Sequence, residues 1–217
     1  IMSVDRALVA AARPRVHEDI AREARGLVLI KTHNARGTDH GHPRVNTRVS
    51  TGAIYVIRNP IDVAISFAKF QGVSIDRAIT DMATSSFGTN LSPTTLHTIF
   101  GTWSKHVESS TGREDPAVHV TRYEDMLERP RETFAALTRH LRMAPTVEAI
   151  DAAIDLSSFD RLRAAEQRGG FRERPDTAQL FFRAGRAGQW RDQLTRAQVD
   201  RIVRRHGTQM ARFGYLP

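Results

Sequence analysis

Ile54-Tyr55-Val56-Ile57-Arg58-Asn59-Pro60-Ile61-Asp62-Val63-Ala64-Ile65-Ser66 is the stretch that decides the fold. Four apolar, largely β-branched residues read as a buried strand ending at Arg58. Asn59 is an N-cap residue, Pro60 has the fixed φ suited to the first helical position, and Asp62 complements the positive end of a helix dipole. Strand, turn and helix start therefore fall within a few residues. At the carboxyl end of a parallel strand, helix N–H groups and an Arg guanidinium together favour an oxyanion such as phosphate. Ser66, two helical turns on, offers a hydroxyl. Against this stands the plainer reading, in which Arg58 pairs with a surface carboxylate and Ser66 is a small packing residue.

Working outward, Leu27–Ile30 and Val118–Val120 also read as buried parallel strands. Helical spacing marks Val4–Ala12, His17–Arg25, Pro60–Phe70, Leu96–Ser109, Glu132–Leu141, Val147–Ile154 and Arg196–Phe213. Strands alternating with helices predict an α/β fold with a parallel sheet flanked by helices. Two long polar loops, Thr32–Ser50 and Gln167–Ala187, are of a length usually tied to function or disorder.

The chain has 217 residues, 40% hydrophobic, enough for one domain with a sizeable core. Its 32 Lys and Arg exceed 24 Asp and Glu, leaving +8, which suits an anionic partner. Only Lys31, Lys69 and Lys105 are lysines, so nearly all the cation is arginine, matched to bidentate contact with oxyanions. The absence of cysteine excludes disulfides, thiol nucleophiles and cysteine-bound metals. No apolar run approaches the ~18 residues of a membrane span, and Ala7–Ala12 lacks the form of a signal peptide, so the reading is a soluble, cytoplasmic protein without a membrane partner. Ile1 in first place hints that the natural chain begins further upstream.

Lys31-Thr32-His33 follows the first expected strand, where ligands bind in open α/β sheets, and a histidine there can serve as general base. Phe182-Arg183-Ala184-Gly185 leads on to Gly188-Gln189-Trp190, combining cations, permissive glycines and stacking surfaces. With Tyr123-Glu124-Asp125-Met126 and Ser157-Ser158-Phe159, these landmarks resemble, in order, the sulfotransferases that use 3′-phosphoadenosine 5′-phosphosulfate (PAPS), especially the cytosolic type and its bacterial relatives. The resemblance runs from about Gly26 to the C-terminus. It implies a P-loop-like three-layer fold, PAPS as sulfuryl donor, and a small-molecule hydroxyl or amine acceptor. It further implies that Arg58 and Ser66 hold the 3′-phosphate with help from Arg183 and Gly185. Tyr123, Ser157, Phe159 and Phe182 would belong to the nucleotide site, Phe159 by stacking on adenine. His33 would be the base, and Lys31 would stabilise charge on the transferring group.

Two departures stand out. The late loop reads Arg183-Ala184-Gly185 where cytosolic members commonly have Arg-Lys-Gly, and Arg186 is the substitute at hand. The family's Pro-Lys-Ser-Gly-Thr-Thr-like loop for the 5′-phosphosulfate is not found, and residues 1–25 read as helix. The expectation is therefore a single sulfotransferase-like domain, 1–217, lacking its N-terminal strand and phosphate loop, with a sheet left exposing unpaired backbone. Other readings are a non-catalytic module for 3′-phosphoadenosine nucleotides, a nucleic-acid binder without an evident reader motif, and a metal site at His33, His40 and His42. The arginines at 196, 201, 204 and 205 read better as a solvated helix face than as a nucleic-acid surface.

Overall fold

The computed structural model describes residues 5–89, 96–175 and 177–217. Two compact units share the chain, one of residues 1–55 and 81–118 and the other of 56–80 and 119–217, so that the chain changes unit within two of its strands.

In the first unit, helix α1 (Arg6–Glu23) starts at Asp5, whose carboxylate accepts from the Ala7 N–H at 2.8 Å. One helix forms where two were expected, since Pro14 lies inside it without stopping it. A proline there cannot donate back to the preceding turn. Loop residue Asn46, 2% exposed, braces that region: its amide donates to the Pro14 carbonyl and to Glu18, each at 3.1 Å. The Thr32–Ser50 loop holds a small hairpin, β1 (Thr38–Asp39) with β2 (His42–Pro43), antiparallel with Asp39 opposite His42. Its two turn residues, His40 and Gly41, both have positive φ (46° and 80°), as a tight hairpin of this twist requires.

Strand β3 (Ala53–Ile57) pairs with β4 (Val118–Arg122) in the parallel manner the sequence predicts. The third expected strand does not form. Leu27, Val28, Leu29 and Ile30 are 53, 49, 70 and 55% exposed, and no strand among the described residues pairs with them. β-propensity favours a pleated, half-buried surface, but a ladder needs a neighbour to receive its hydrogen bonds.

Helix α2 (Pro60–Gln71) begins at Asn59, whose side chain accepts from the Ile61 N–H, and ends at Gly72 in the left-handed region (φ 66°). It buries Ile61, Ala64, Ile65 and Ala68. Helix α3 is Ile75–Met82. Helix α4 (Trp103–Thr111) starts later than the predicted Leu96, because Gly101 takes φ 64° and Thr102 caps the Lys105 N–H, while Ile99 bridges Gly88 in extended form.

After β4 come α5 (Tyr123–Glu128), α6 (Pro130–His140), α7 (Val147–Leu156), α8 (Phe159–Gly169), the one-turn α9 (Trp190–Gln193) and α10 (Arg196–Arg212). Helix α10 opens on a reciprocal Thr195/Gln198 capping box. Its buried stripe of Val199, Ile202, His206 and Met210 packs the helix onto α2. Burial and neighbouring Arg205 push the His206 imidazole down to about 4, so it packs uncharged. Arg204 and Arg205 face solvent, and Arg201 pairs with Asp76, in keeping with a solvated cationic face. No helix among the described residues is long and apolar enough to cross a membrane.

Candidate functional site

Arg58 leaves the carboxyl end of β3 half-buried, with its guanidinium carbon 4.4 Å from the centre of the Tyr123 ring. Its Nε is buried and has no hydrogen-bond partner among the described residues. A buried guanidinium N–H without an acceptor is costly, and an incoming anion supplies one. The surrounding cations reinforce this. Arg183 is held below its ordinary pKa by burial and by repulsion from Arg58 and Arg186, and Lys69 below its own by burial and repulsion from Arg183.

The helix end contributes less than the sequence suggested. Pro60 has no N–H, the Ile61 N–H is taken by Asn59 Oδ1, and the Val63 N–H by the Asn59 carbonyl. The pull on an anion there falls chiefly on side chains.

Two buried carboxylates set this geometry, and sequence reasoning assigned neither of them the role. Glu124, 7% exposed, accepts from the Asn59 N–H at 3.0 Å with one oxygen and from the Tyr215 hydroxyl at 2.8 Å with the other. It ties the strand-to-helix turn to α5 and to the chain's end. Asp62, 1% exposed, accepts from the Gly188 N–H at 2.6 Å and the Trp190 N–H at 3.0 Å, which fixes the late loop against the start of α2. Asp62→Asn keeps the shape but offers one acceptor oxygen and turns an NH₂ toward the other N–H. It should destabilise the protein by about 1–3 kcal/mol in chemical denaturation, the scale of a charge-assisted hydrogen bond plus an unsatisfied buried donor. Unchanged stability would show that the clamp is dispensable.

Glu166 performs a similar task on the aromatic part of the loop, accepting from the Phe181 and Phe182 N–H groups at 2.7 and 2.9 Å. Burial raises its pKa, but those two donors, with Arg174 and Arg163, outweigh burial and hold it below the usual carboxylate range. Phe182 packs edge-on to Phe171 and Phe181, with centroids 5.0 and 5.2 Å away. Gly185 (φ 58°) lies so close to Phe159 that a Cβ would fall 2.3 Å from the ring. Gly185→Ala must therefore both strain the backbone and displace that ring. Near-ultraviolet circular dichroism should register the loss of aromatic order, and an unaltered spectrum would contradict this packing.

Ser66 is exposed on α2, and Ser157 is exposed at the end of α7, where its hydroxyl donates to the Ala153 carbonyl at 2.7 Å. The N-cap of α8 is its neighbour Ser158. Thus Arg58, Tyr123 and Arg183 gather about one cationic point, Phe159 meets Gly185, and Phe182 joins the aromatic cluster.

Lys31 and His33 belong to the other unit and are both exposed. The His33 carbonyl is 3.2 Å from His106 Nε2, and His106 Nδ1 is 2.8 Å from the Tyr55 hydroxyl. Among the described residues no three His, Cys, Asp or Glu side chains gather as metal ligands, so His33, His40 and His42 do not form the site considered from sequence.

Residues 10–214 match the family model described as a sulfotransferase domain, and the chain belongs to that family. Cytosolic sulfotransferase 10 of Arabidopsis thaliana is 30% identical over 157 residues, covering 69% of this chain and 46% of the relative. Sulfotransferase 1A1 of Canis lupus familiaris is 24% identical over 180 residues, covering 80% and 59%. The chain spans about half the length of the curated relatives it matches. Among solved structures, a mouse sulfotransferase complexed with PAP aligns with a TM-score of 0.56 at 18% identity, covering 76% of this chain and 63% of that one. A retinol dehydratase in complex with androsterone and PAP aligns at 0.55 and 20% identity, covering 73% and 47%. These likenesses establish the sulfotransferase fold, an α/β architecture with a parallel sheet flanked by helices.

Proposed function

We propose that this protein transfers a sulfuryl group from PAPS to a hydroxyl or amine of a small-molecule acceptor. The observation that carries the reading is Arg58: a guanidinium at a strand end, stacked on Tyr123, with a buried N–H that has no acceptor among the described residues and further cations beside it. That is the environment a dianionic phosphate completes. Sequence kinship to sulfotransferases and the PAP complexes of the fold's neighbours support the choice of nucleotide.

In this reading Arg58, Ser66, Arg183 and Gly185 surround the 3′-phosphate. Tyr123, Ser157, Phe159 and Phe182 line the nucleoside end. His33 takes the proton of the acceptor as its oxygen or nitrogen bonds to sulfur. The bond from sulfur to the bridging oxygen breaks, and adenosine 3′,5′-bisphosphate leaves. Lys31 offsets the charge that develops on the transferring group.

Two measurements test this together. Calorimetry with adenosine 3′,5′-bisphosphate should give saturable binding that outcompetes adenosine 5′-monophosphate, since the 3′-phosphate is what Arg58 recognises. Incubation with PAPS and a panel of phenols, alcohols and amines should yield a sulfated product. Nucleotide binding without product would leave a binding module, and no discrimination between the two nucleotides would remove the basis of the assignment.

A further inference from the structure

We infer that His106 is the positioning residue for His33, and that Tyr55 sets the tautomer in which it acts; this rests on the reading of His33 as the acceptor's base. Three residues of one unit form a chain from the strand to the loop. A carbonyl oxygen can only accept, so the 3.2 Å contact between His106 Nε2 and the His33 carbonyl requires a proton on Nε2. A neutral imidazole then has a lone pair on Nδ1, and the Tyr55 hydroxyl, 2.8 Å away, must donate to it. The environment supports both assignments. Burial holds the His106 imidazole below its ordinary pKa, which favours the neutral ring. Burial also raises the pKa of the Tyr55 phenol, so it keeps the proton it donates. The two rings stack with centroids 5.7 Å apart, which fixes the plane of the imidazole.

Helix α4 presents His106 to the loop together with Ser109, three residues on and hence on the same face. The Ser109 hydroxyl accepts from the Arg36 N–H at 2.9 Å while donating to the His106 carbonyl at 2.7 Å. Between these points, Asn34 Oδ1 accepts from the Ile99 N–H and the Ala35 N–H donates to the Ile99 carbonyl, both at 2.9 Å. The segment 33–36 is therefore held at each residue in turn, and His33 is the residue whose backbone depends on an imidazole. A base is effective only when its nitrogen points at the proton it removes, so a fixed carbonyl one residue's breadth from the ring is a direct constraint on that aim.

The test uses His106→Leu, which removes the donor; His106→Gln, whose amide can still donate to the His33 carbonyl; and Tyr55→Phe, which frees the tautomer with little change of volume. In the wild type, nitrogen-15 spectra should show His106 as the Nε2–H tautomer, and Tyr55→Phe should introduce the other form. Amide exchange at Ala35 and Arg36 should accelerate about tenfold or more in His106→Leu and return toward wild type in His106→Gln. In sulfuryl transfer, His106→Leu should lower kcat about ten- to hundredfold, the usual cost of losing an orienting partner, with KM for PAPS within twofold and partial rescue in His106→Gln. Unchanged amide exchange in a folded His106→Leu protein, or a wild-type Nδ1–H tautomer, overturns the proposal. So does a variant that raises acceptor KM alone, which would make His106 a pocket wall. The spectra and exchange rates decide the matter even if the wild type transfers no sulfuryl group, a result that would count against the proposed function instead.

Discussion

Arg58→Ala should weaken binding of adenosine 3′,5′-bisphosphate by about 1.5–3 kcal/mol, or roughly ten- to 150-fold in Kd, measured by calorimetry on folded protein. Removing the guanidinium takes away a charge-assisted pair of donors, which the neighbouring cations offset only in part. Arg183 is nearby, but one of its guanidinium nitrogens already donates to Gln189 Oε1 at 2.8 Å, so it supports the phosphate beside Arg58 without replacing it. Arg58→Lys separates charge from geometry: it keeps the cation and loses the planar fork, so it should recover part of the affinity but not all. Adenosine 5′-monophosphate, lacking the 3′-phosphate, should bind the wild type and Arg58→Ala alike. The stability of Arg58→Ala should fall little, because the unaccepted Nε–H is removed along with the stacking on Tyr123. Equal affinity of wild type and variant for the bisphosphate would sink the assignment of this site.

The part of the fold legible in the sequence is the part whose causes are local. The turn from β3 into α2 is written in Asn59, Pro60 and Asp62, each of which acts on backbone within four residues of itself. The same holds for α10, whose capping box and buried stripe depend on spacing alone. Leu27–Ile30 is the opposite case. Its composition specifies what a strand prefers, while the strand itself depends on whether another segment lies alongside, and among the described residues none pairs with it. The expected break between Val4–Ala12 and His17–Arg25 fails for a related reason, because the amide that braces the helix at Pro14 comes from Asn46, far along the chain.

The site divides along the same line. Arg58, Tyr123 and Arg183 were visible as residue types suited to an anion and an aromatic ligand. The carboxylates that position them were not. Asp62 reads from sequence as an ordinary first-turn acid, yet it accepts from Gly188 and Trp190, more than 120 residues away. Nothing in the local sequence marks Glu124 or Glu166 as clamps, yet they are 7 and 3% exposed and accept from backbone N–H groups of distant segments. His106 left one faint signal, its three-residue spacing from Ser109 on a short helix, which means little until the loop that meets both is known.

His33→Ala is expected to have the largest effect on turnover, a fall in kcat of about a hundredfold to ten-thousandfold with little change in nucleotide affinity. An alcohol or phenol is a poor nucleophile while it keeps its proton, and a positioned imidazole removes that proton as the new bond to sulfur forms. The nucleotide contacts assigned to Arg58, Tyr123 and Arg183 lie in a different set of elements, so calorimetry with adenosine 3′,5′-bisphosphate should give nearly the wild-type Kd. That separation of kcat from Kd is what distinguishes a lost base from a collapsed site. Phenols offer a second discriminant: the more acidic the acceptor, the less it needs a base, so the deficit of His33→Ala should shrink as ring substituents lower the phenol pKa. A variant with near-normal kcat toward weakly acidic alcohols would make His33 a structural loop residue. In that event the Tyr55–His106 pair would hold a loop rather than aim a base, and the proton would have to leave through another group.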